Sequence, residues 1–221
     1  MDPLSTLAAL YGSDKLEHGF CGFYHRLLAE VRDRYAKVLE IGVFKGASLR
    51  MWRDYFPRAA VHGFDLSPPI FNAEPRIALH QGDQANRRSL NALLAETGPD
   101  FDLIIDDGGH TMEQQQVSFA FLFPLLRPGG LYIIEDLHTS FAQEIGWYRD
   151  GRRVGGYPTG VQDGGPTTFE LVQTLAAGRP LSSLYLSAPE IAYLQREALG
   201  VEIFDRDGDR AHLCCALRRR G

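Results

Sequence analysis

Acidic side chains follow two apolar segments of this chain, and a histidine lies close behind the first segment. The segment FDLIID ends at Asp106 and is followed by Asp107 and His110. The segment LYII is followed by Glu135 and Asp136. Carboxylates that are brought together repel one another unless a cation lies between them, and magnesium prefers oxygen ligands of this type. These residues therefore predict a divalent-ion site, with His110 as a candidate base beside it.

Both segments are typical of strands buried in a parallel sheet, because they are short, continuous and apolar. In such sheets, ligands bind beyond the carboxyl ends of the strands. We therefore expect the acids and His110 to converge on one cleft. Adjacent residues of a regular strand point to opposite faces, so Glu135 and Asp136 can both reach one ion only if the strand has already turned.

Strand and helix patterns alternate along the chain, which predicts an α/β fold with a mostly parallel sheet and helices on both faces. A C-terminal β-hairpin is expected to add antiparallel edge strands. The predicted strands cover residues 37–42, 60–65, 77–83, 101–107 and 129–136, and the hairpin strands cover residues 201–204 and 212–217. The predicted helices cover residues 18–34, 47–55, 86–96 and 112–126.

The whole chain, residues 1–221, is interpreted as a single domain, because no repeat or shift in composition divides it. Residues 1–34 lie outside the alternation, and we expect them to cap the cofactor site or to form the interface of a homo-oligomer. Residues 137–166 are rich in glycine and directly follow the last parallel strand, so they are interpreted as a lid loop.

The composition of the chain bears on its binding partners and on its location in the cell. The net charge is −5 at pH 7, which does not favour a nucleic-acid partner. No apolar run is long enough to span a membrane, and no signal peptide is recognised, so we expect a cytoplasmic protein. The three cysteines, Cys21, Cys214 and Cys215, are interpreted as reduced core residues, with the last two on opposite faces of a strand.

The first predicted strand ends in a glycine turn that contains Glu40, Gly42 and Gly46. Gly42 permits a tight turn, and Gly46 permits close approach of backbone and ligand. The dinucleotide fingerprint G-x-G-x-x-G is not met, because Glu40 occupies the position of its first glycine, and no Walker lysine motif is present. An acid at this position would repel a pyrophosphate but could receive a cationic amino group.

Acids also end the next two predicted strands. Asp65 follows the second strand and suits ribose hydroxyls, whereas Asp83 and Gln84 follow the third strand and suit an adenine ring edge. Together with Glu40, these residues describe a pocket for an adenosine that carries an amino acid, which is the structure of S-adenosylmethionine.

Five segments resemble those of class I S-adenosylmethionine-dependent methyltransferases, and more specifically the metal-dependent O-methyltransferases that act on macrolide sugars. The resemblance runs from about residue 10 to residue 140, is specific in order and spacing, and is weaker in the tail. The segments are YGSDK at 11–15, the glycine turn and helix at 40–52, GDQ at 82–84, IDDGGH at 105–110 and IEDLHTS at 134–140.

This resemblance implies a role for individual residues. It implies that Asp107, Glu135 and Asp136 are the metal ligands and that His110 is the catalytic base. The cofactor-binding residues that it implies are Tyr11, Glu40, Gly42, Gly46, Asp65, Asp83 and Gln84, and Asp107 is assigned to the cofactor pocket as well. Gly109 departs from the pattern, since relatives usually have serine there, and we expect little chemical consequence.

The resemblance implies a Rossmann-like fold and a Mg²⁺-dependent O-methyltransferase that methylates a sugar hydroxyl of a small glycosylated natural product in antibiotic biosynthesis. Two alternatives remain open at this point: methylation of a catechol-type or other small diol, and S-adenosylmethionine binding without catalysis. An iron oxygenase would more naturally show two histidines with one carboxylate. Here one histidine accompanies several acids.

Further candidates follow the last parallel strand. His138 is a second candidate base, ranked below His110. Trp147, Tyr148 and Tyr157 are candidates for lining an acceptor pocket, although aromatic residues in loops equally often serve simple packing.

Overall fold

A computed structural model describes residues 1–70, 74–141 and 164–221 in full, and describes the backbone alone of two strands at residues 145–149 and 152–157. The strands are β1 Lys37–Ile41, β2 Ala60–Asp65, β3 Ile77–Gln81, β4 Phe101–Asp106, β5 Leu126–Ile134, β6 Ile145–Arg149, β7 Arg152–Tyr157, β8 Ala198–Asp205 and β9 Leu213–Arg219. The helices are α1 Pro3–Tyr11, α2 Phe20–Leu28, α3 Ala47–Tyr55, α4 Arg87–Thr97, α5 Met112–Leu122, α6 Thr168–Ala176 and α7 Ala188–Glu197.

Seven strands form one sheet in the order β3-β2-β1-β4-β5-β9-β8. The five strands from β3 to β5 run parallel, whereas β9 is antiparallel to both β5 and β8. The mostly parallel sheet with an antiparallel C-terminal hairpin is therefore confirmed. The strand order reverses between β1 and β4, and open α/β sheets bind ligands at such a switch point.

Apolar residues fill both faces of the sheet, because consecutive strand residues alternate between them. Val38 packs into one buried cluster and its neighbour Leu39 into the other. The same alternation sends Cys214 and Cys215 to opposite faces, as predicted. All three cysteines are buried and none forms a disulfide, which agrees with their interpretation as core residues.

Two predicted helices are shorter than expected. The helix predicted over residues 112–126 ends at Leu122, and a single 3₁₀ turn at Phe123–Leu125 leads into β5. Pro124 lies in that turn, and proline cannot donate the backbone hydrogen bond that a continuing α-helix requires. The helix predicted over residues 18–34 is α2 and ends at Leu28.

Helices α6 and α7 and strands β6 and β7 were not predicted. Helices α6 and α7 each begin with a capping box, Thr167 with Glu170 and Ser187 with Glu190. The segment interpreted as a lid loop contains a 3₁₀ turn at Leu137–Ser140 and the antiparallel pair β6–β7. Its lid function stays a prediction, and the side chains of Trp147, Tyr148 and Tyr157 lie outside the described residues. None of the helices in the described ranges combines the length and apolar character needed to cross a membrane.

Candidate functional site

A cavity of about 1180 Å³ opens at the carboxyl edge of β1, β2 and β4. Its wall also includes residues of the segment after α1 and of the turn between β8 and β9, so parts distant in sequence surround it. Eight of the predicted site residues line the cavity: Tyr11, Gly42, Asp65, Asp83, Gln84, Asp107, His110 and Asp136. Glu40, Gly46 and Glu135 are not among the lining residues.

The glycine turn brings the end of β1 against the loop after β4. Gly42 has a φ of +85°, and a Cβ atom at this position would lie 1.9 Å from the carbonyl oxygen of Asp107. Gly42, for which the sequence predicted a tight turn, is thus also a point where two backbone segments approach each other closely. Gly46 has a φ of +75° and precedes the first residue of α3, whose N-terminal N–H groups follow the turn.

Two acids at the ends of β2 and β3, Asp65 and Asp83, accept hydrogen bonds from the loops that follow the strands. Asp65 accepts hydrogen bonds from the backbone N–H groups of Val43 and Ser67, both at 2.7 Å. Asp83 accepts one from the N–H of Ala85 at 2.8 Å. These contacts fix the loops around the cavity.

Gln84 links the end of β3 to the end of β4. Its Nε2 donates to Asp106 Oδ1 at 3.0 Å, and its Oε1 accepts from the backbone N–H of Gly109 at 2.6 Å. Tyr11, the last residue of α1, donates its hydroxyl hydrogen to Asp54 of α3, which ties the end of α1 to α3.

Asp106 was expected in the cleft, and the structure places it behind the cavity wall. It is 1% exposed and accepts hydrogen bonds from Gln84, Ser118 and Tyr132. Burial raises the pKa of Asp106 to about 6, against the lowering effect of these hydrogen bonds. Asp106 is the last residue of β4, and neighbouring residues of a strand point to opposite faces of the sheet. Its side chain therefore points away from that of Asp107.

Three carboxylates, those of the buried Glu40 and Glu135 and of the partly exposed Asp107, share one ammonium group at the base of the site. The Lys15 side chain is 1% exposed, and its Nζ lies 2.5 Å from Asp107, 2.7 Å from Glu135 and 3.3 Å from Glu40. Glu40 also accepts hydrogen bonds from Ser48 at 2.6 Å and Trp52 at 3.1 Å. The Glu40 carboxylate, expected to receive an amino group of a ligand, is thus paired with an amino group of the protein.

The shared ammonium sets the charge balance of this cluster. Burial raises the pKa values of Glu135 and Asp107, and the Lys15 ammonium offsets this only in part; repulsion between these two carboxylates raises the pKa of Glu135 further. Burial alone would lower the pKa of Lys15, but attraction to Asp107, Glu135 and Glu40 brings it well above its usual value. Lys15 is therefore a cation in the folded protein, and one positive charge faces three acids.

No role was predicted for Lys15, although it lies in the segment YGSDK that contributes to the family resemblance. The available signal was indirect. Glu40, Asp107 and Glu135 were all placed at strand ends of one sheet edge, and buried acids require a nearby positive charge.

Asp107, His110 and Asp136 form a second, adjoining group that faces the cavity. One potential ligand atom of each lies within 4.8 Å of those of the other two. His110 Nε2 is 3.3 Å from Asp136 Oδ2. Asp136 has a φ of +55°, after the end of β5, so the strand has turned as the sequence argument required. Carboxylate oxygens and one imidazole are a donor set that fits a divalent cation.

Glu135 is not part of this group, and its Oε1 lies 2.7 Å from Lys15 Nζ. The structure therefore brings Asp107 and Asp136 together with His110, and it joins Glu135 to them through Asp107 and Lys15.

His138 lies at the same cavity, 3.7 Å from Asp136 Oδ1 through its Nδ1. Burial lowers its pKa, and the nearby His110, His18 and His212 lower it further, against the opposing effect of Asp136. His138 is thus a mainly neutral imidazole near the candidate base.

Known methyltransferases are similar to this chain in sequence and in structure. Residues 39–137, which run from β1 to the turn after β5, match the methyltransferase domain family. The mycinamicin VI 2''-O-methyltransferase of Micromonospora griseorubida is 38% identical over 167 residues, which make up 72% of this chain and 42% of that protein. The 8-demethyl-8-alpha-L-rhamnosyl tetracenomycin-C 2'-O-methyltransferase of Streptomyces olivaceus is 36% identical over 212 residues, 88% of this chain and 55% of that protein.

A solved structure agrees over almost the entire chain. The MycE methyltransferase from the mycinamycin biosynthetic pathway, in complex with Mg, SAH and mycinamycin VI, matches with a TM-score of 0.74 at 32% identity. The match covers 99% of this chain and 55% of the MycE chain. This chain spans about half the length of the relatives that it matches. Residues 39–137 are therefore similar to the methyltransferase domain family, and the chain is similar to the O-methyltransferases of mycinamicin VI and rhamnosyl tetracenomycin C.

Proposed function

We propose that this protein is an S-adenosylmethionine- and Mg²⁺-dependent O-methyltransferase that acts on a sugar hydroxyl of a small glycosylated natural product. The observation that carries the proposal is the convergence of Asp107, His110 and Asp136 at the cavity beside the glycine turn. The similarity to enzymes named for methylation of mycinamicin VI and of a rhamnosyl tetracenomycin supports a glycosylated natural product as the acceptor. Antibiotic biosynthesis is the setting that this similarity favours.

The cofactor and the metal are proposed to bind neighbouring sets of residues, and Asp107 belongs to both sets. Asp65, Asp83 and Gln84 are proposed to receive the adenosine of the cofactor, with Tyr11 and the turn from Gly42 to Gly46 around its amino-acid part. When bound, S-adenosylmethionine supplies the methyl group on a sulfonium that is a good leaving group. The cavity volume of about 1180 Å³ leaves space for an acceptor beside it.

The metal is proposed to bind Asp107, Glu135 and Asp136, and it would lower the pKa of an acceptor hydroxyl and orient it. His110 is proposed to take the proton. Its Nδ1 is buried, which leaves Nε2 as the ring nitrogen that can reach the acceptor. Asp136 lies 3.3 Å from Nε2 and stabilises the imidazolium that results from proton transfer.

The N-terminal residues are proposed to cap the site. Helix α1 packs against α3, and Lys15 in the following segment reaches the acids at the base of the cavity. We propose one methyltransferase domain for residues 1–221, a lid function for residues 137–166, a cytoplasmic location and assembly as a homo-oligomer. Light scattering on the purified protein tests the last of these.

The decisive experiment combines binding with turnover. Isothermal titration should show binding of S-adenosylmethionine to the wild type, and a Mg²⁺ site that is lost in Asp107→Asn. Turnover is then assayed by mass spectrometry with mycinamicin VI, the rhamnosyl tetracenomycin and a catechol as acceptors, with and without EDTA.

Each outcome bears on one alternative. EDTA-sensitive methylation of a glycosylated acceptor supports the proposal, whereas methylation of the catechol alone would replace its acceptor class. Cofactor binding without methylation of any acceptor would favour a non-catalytic role. Absence of cofactor binding under all conditions would overturn the proposal.

A further inference from the structure

Lys15 is a buried charged residue that the proposed mechanism does not use. Its side chain is 1% exposed and does not line the cavity, so it contacts neither the cofactor space nor the acceptor space. Its three partners are Glu40, Asp107 and Glu135. Asp107 and Glu135 are two of the three residues proposed above as metal ligands.

The contacts of Lys15 divide the oxygens of these acids into two sets. Nζ contacts Oδ2 of Asp107 and Oε1 of Glu135. Each carboxylate therefore has one oxygen committed to the ammonium and one further oxygen. Any divalent ion held by Asp107 and Glu135 lies within a few ångströms of a fixed positive charge that is bound to the same two groups.

We propose that Lys15 is a positioning residue that holds Asp107 and Glu135 in place as an internal counter-ion and thereby weakens the divalent-ion site, so that the ion stays exchangeable. This inference rests on the proposed function, since it concerns the metal site proposed there. It goes beyond that function in assigning the strength of the site to a residue that is not a ligand.

The direction of the effect follows from charge. Two positive charges at such separation inside a protein repel by several times the energy that corresponds to a tenfold change in affinity. The same ammonium spares the cluster a buried excess of three negative charges, which would otherwise repel one another. Lys15 therefore stabilises the folded protein and lowers its affinity for the metal at the same time.

The test is a calorimetric titration of the protein with Mg²⁺ alone, without cofactor or acceptor. Titration with Mn²⁺, measured by electron paramagnetic resonance, is the second probe. Lys15→Met is expected to bind Mg²⁺ at least about tenfold more tightly than the wild type. Its melting temperature should be lower than that of the wild type in EDTA and should rise more on addition of Mg²⁺. Mg²⁺ should stabilise Lys15→Met more than the wild type because the bound ion replaces the positive charge that the variant lacks.

Lys37→Met is the matched control for net charge. The Lys37 ammonium donates to the carbonyl groups of Thr97, Gly98 and Pro99, at the opposite edge of the sheet from the cavity. This variant loses the same single charge and should keep the Mg²⁺ affinity of the wild type.

A second pair of variants covers the case in which Lys15→Met does not fold. Glu40→Gln removes one acid of the cluster that is not a proposed metal ligand, and the double variant Lys15→Met/Glu40→Gln then buries fewer unpaired charges. The double variant is expected to bind Mg²⁺ more tightly than Glu40→Gln alone.

Equal or weaker Mg²⁺ binding after loss of Lys15, in either background, would overturn the inference. Failure of the proposed function gives a different result: the wild type would then show no Mg²⁺ site that Asp107→Asn removes. The two failures are therefore distinguishable in one set of titrations.

Discussion

Individual side chains at the site have separate tasks because their surroundings differ. Asp106 and Asp107 are neighbours in sequence, yet Asp106 is enclosed by hydrogen-bond donors, whereas Asp107 faces both Lys15 and the cavity. His110 and His138 both approach Asp136, at 3.3 and 3.7 Å. Only contacts of this kind separate residues of the same type into structural and chemical roles.

We expect His110→Ala to lower kcat by about 10²–10⁴-fold, the usual contribution of a general base. The affinity for S-adenosylmethionine should be unchanged, because the residues proposed for the adenosine are elsewhere in the cavity. Steady-state kinetics with an accepted glycoside and calorimetry with the cofactor measure the two effects. His138→Ala is the comparison and should cost less; full turnover of the His110 variant would show that the base is a different group.

Residues of the site were predictable from the sequence where a rule of sheet geometry applied. Asp107 and Asp136, which follow β4 and β5, were predicted to meet because parallel strands end at the same edge of the sheet. Lys15 was missed because it lies in a short segment between two helices. Its burial depends on how α1 and α2 pack on the sheet, which no local pattern in the sequence specifies.

The turn after β1 and the loop after β4 approach too closely at Gly42 to accept a side chain there. Gly42 combines a φ of +85° with a carbonyl oxygen 1.9 Å from the position of a Cβ atom. Both the turn after β1 and the loop after β4 depend on this glycine. The two loops therefore behave as one unit in forming the cofactor side of the cavity.

Gly42→Ala should destabilise the protein by about 3 kcal/mol or more, because left-handed strain and a backbone clash add. Gly178→Ala is the matched control, since Gly178 has a φ of +61° with no atom within 4 Å of the added Cβ, and it should cost about 1 kcal/mol. Urea unfolding measures both. Equal losses of unfolding free energy in the two variants would mean that the loop after β4 moves away from the added Cβ atom at little cost.

Helices and strands of the core were predictable because their apolar periodicity is strong. The end of α5 was misplaced by a few residues, since the apolar pattern continues through Phe123 and Leu125 although Pro124 ends the helix. Capping boxes at Thr167 and Ser187 marked α6 and α7 and were overlooked in favour of the glycine-rich composition between β5 and α6.

On the scale of the whole molecule, the sheet divides two apolar layers, and a few titratable groups lie within or beside them. His62 on β2 is such a group: its Nδ1 is 3.1 Å from His80 Nε2, and His80 Nδ1 is 2.6 Å from Glu96. Burial lowers the pKa of His62 to about 4, with His80 and Lys37 adding to the shift.

This shift makes the free energy of unfolding depend on pH. His62 binds its proton more weakly in the folded protein than in the unfolded chain, where the pKa is 6.5, so stability is lost as pH falls from about 6.5 towards 4. We expect His62 to contribute a loss of about 1–2 kcal/mol between about pH 8 and pH 5, after allowance for its partial exposure. Urea unfolding at both pH values measures it.

His62→Gln keeps a polar side chain and removes this titration. The variant should therefore lose less stability than the wild type over the same pH range. An identical loss in both proteins would place the acid sensitivity elsewhere.

The overall topology was the most predictable feature, since alternating strands and helices leave few ways to build a parallel sheet. The antiparallel hairpin was also recognised from its two apolar runs around a charged turn. What the sequence did not indicate is that this hairpin turn and the segment after α1 form one wall of the cavity. Arg206 donates to the carbonyl oxygen of Glu17 at 2.6 Å and joins them.

Strand β9 lies between β5 and β8, although it follows both in the chain. During synthesis on the ribosome, β5 consequently remains an open sheet edge until residues 213–219 emerge, and His212 reaches the cavity only then. Exposed edges pair readily with other chains. The folding chain therefore exposes an unpaired strand edge until β9 is in place, and the insertion of β9 also gives the cavity its last wall.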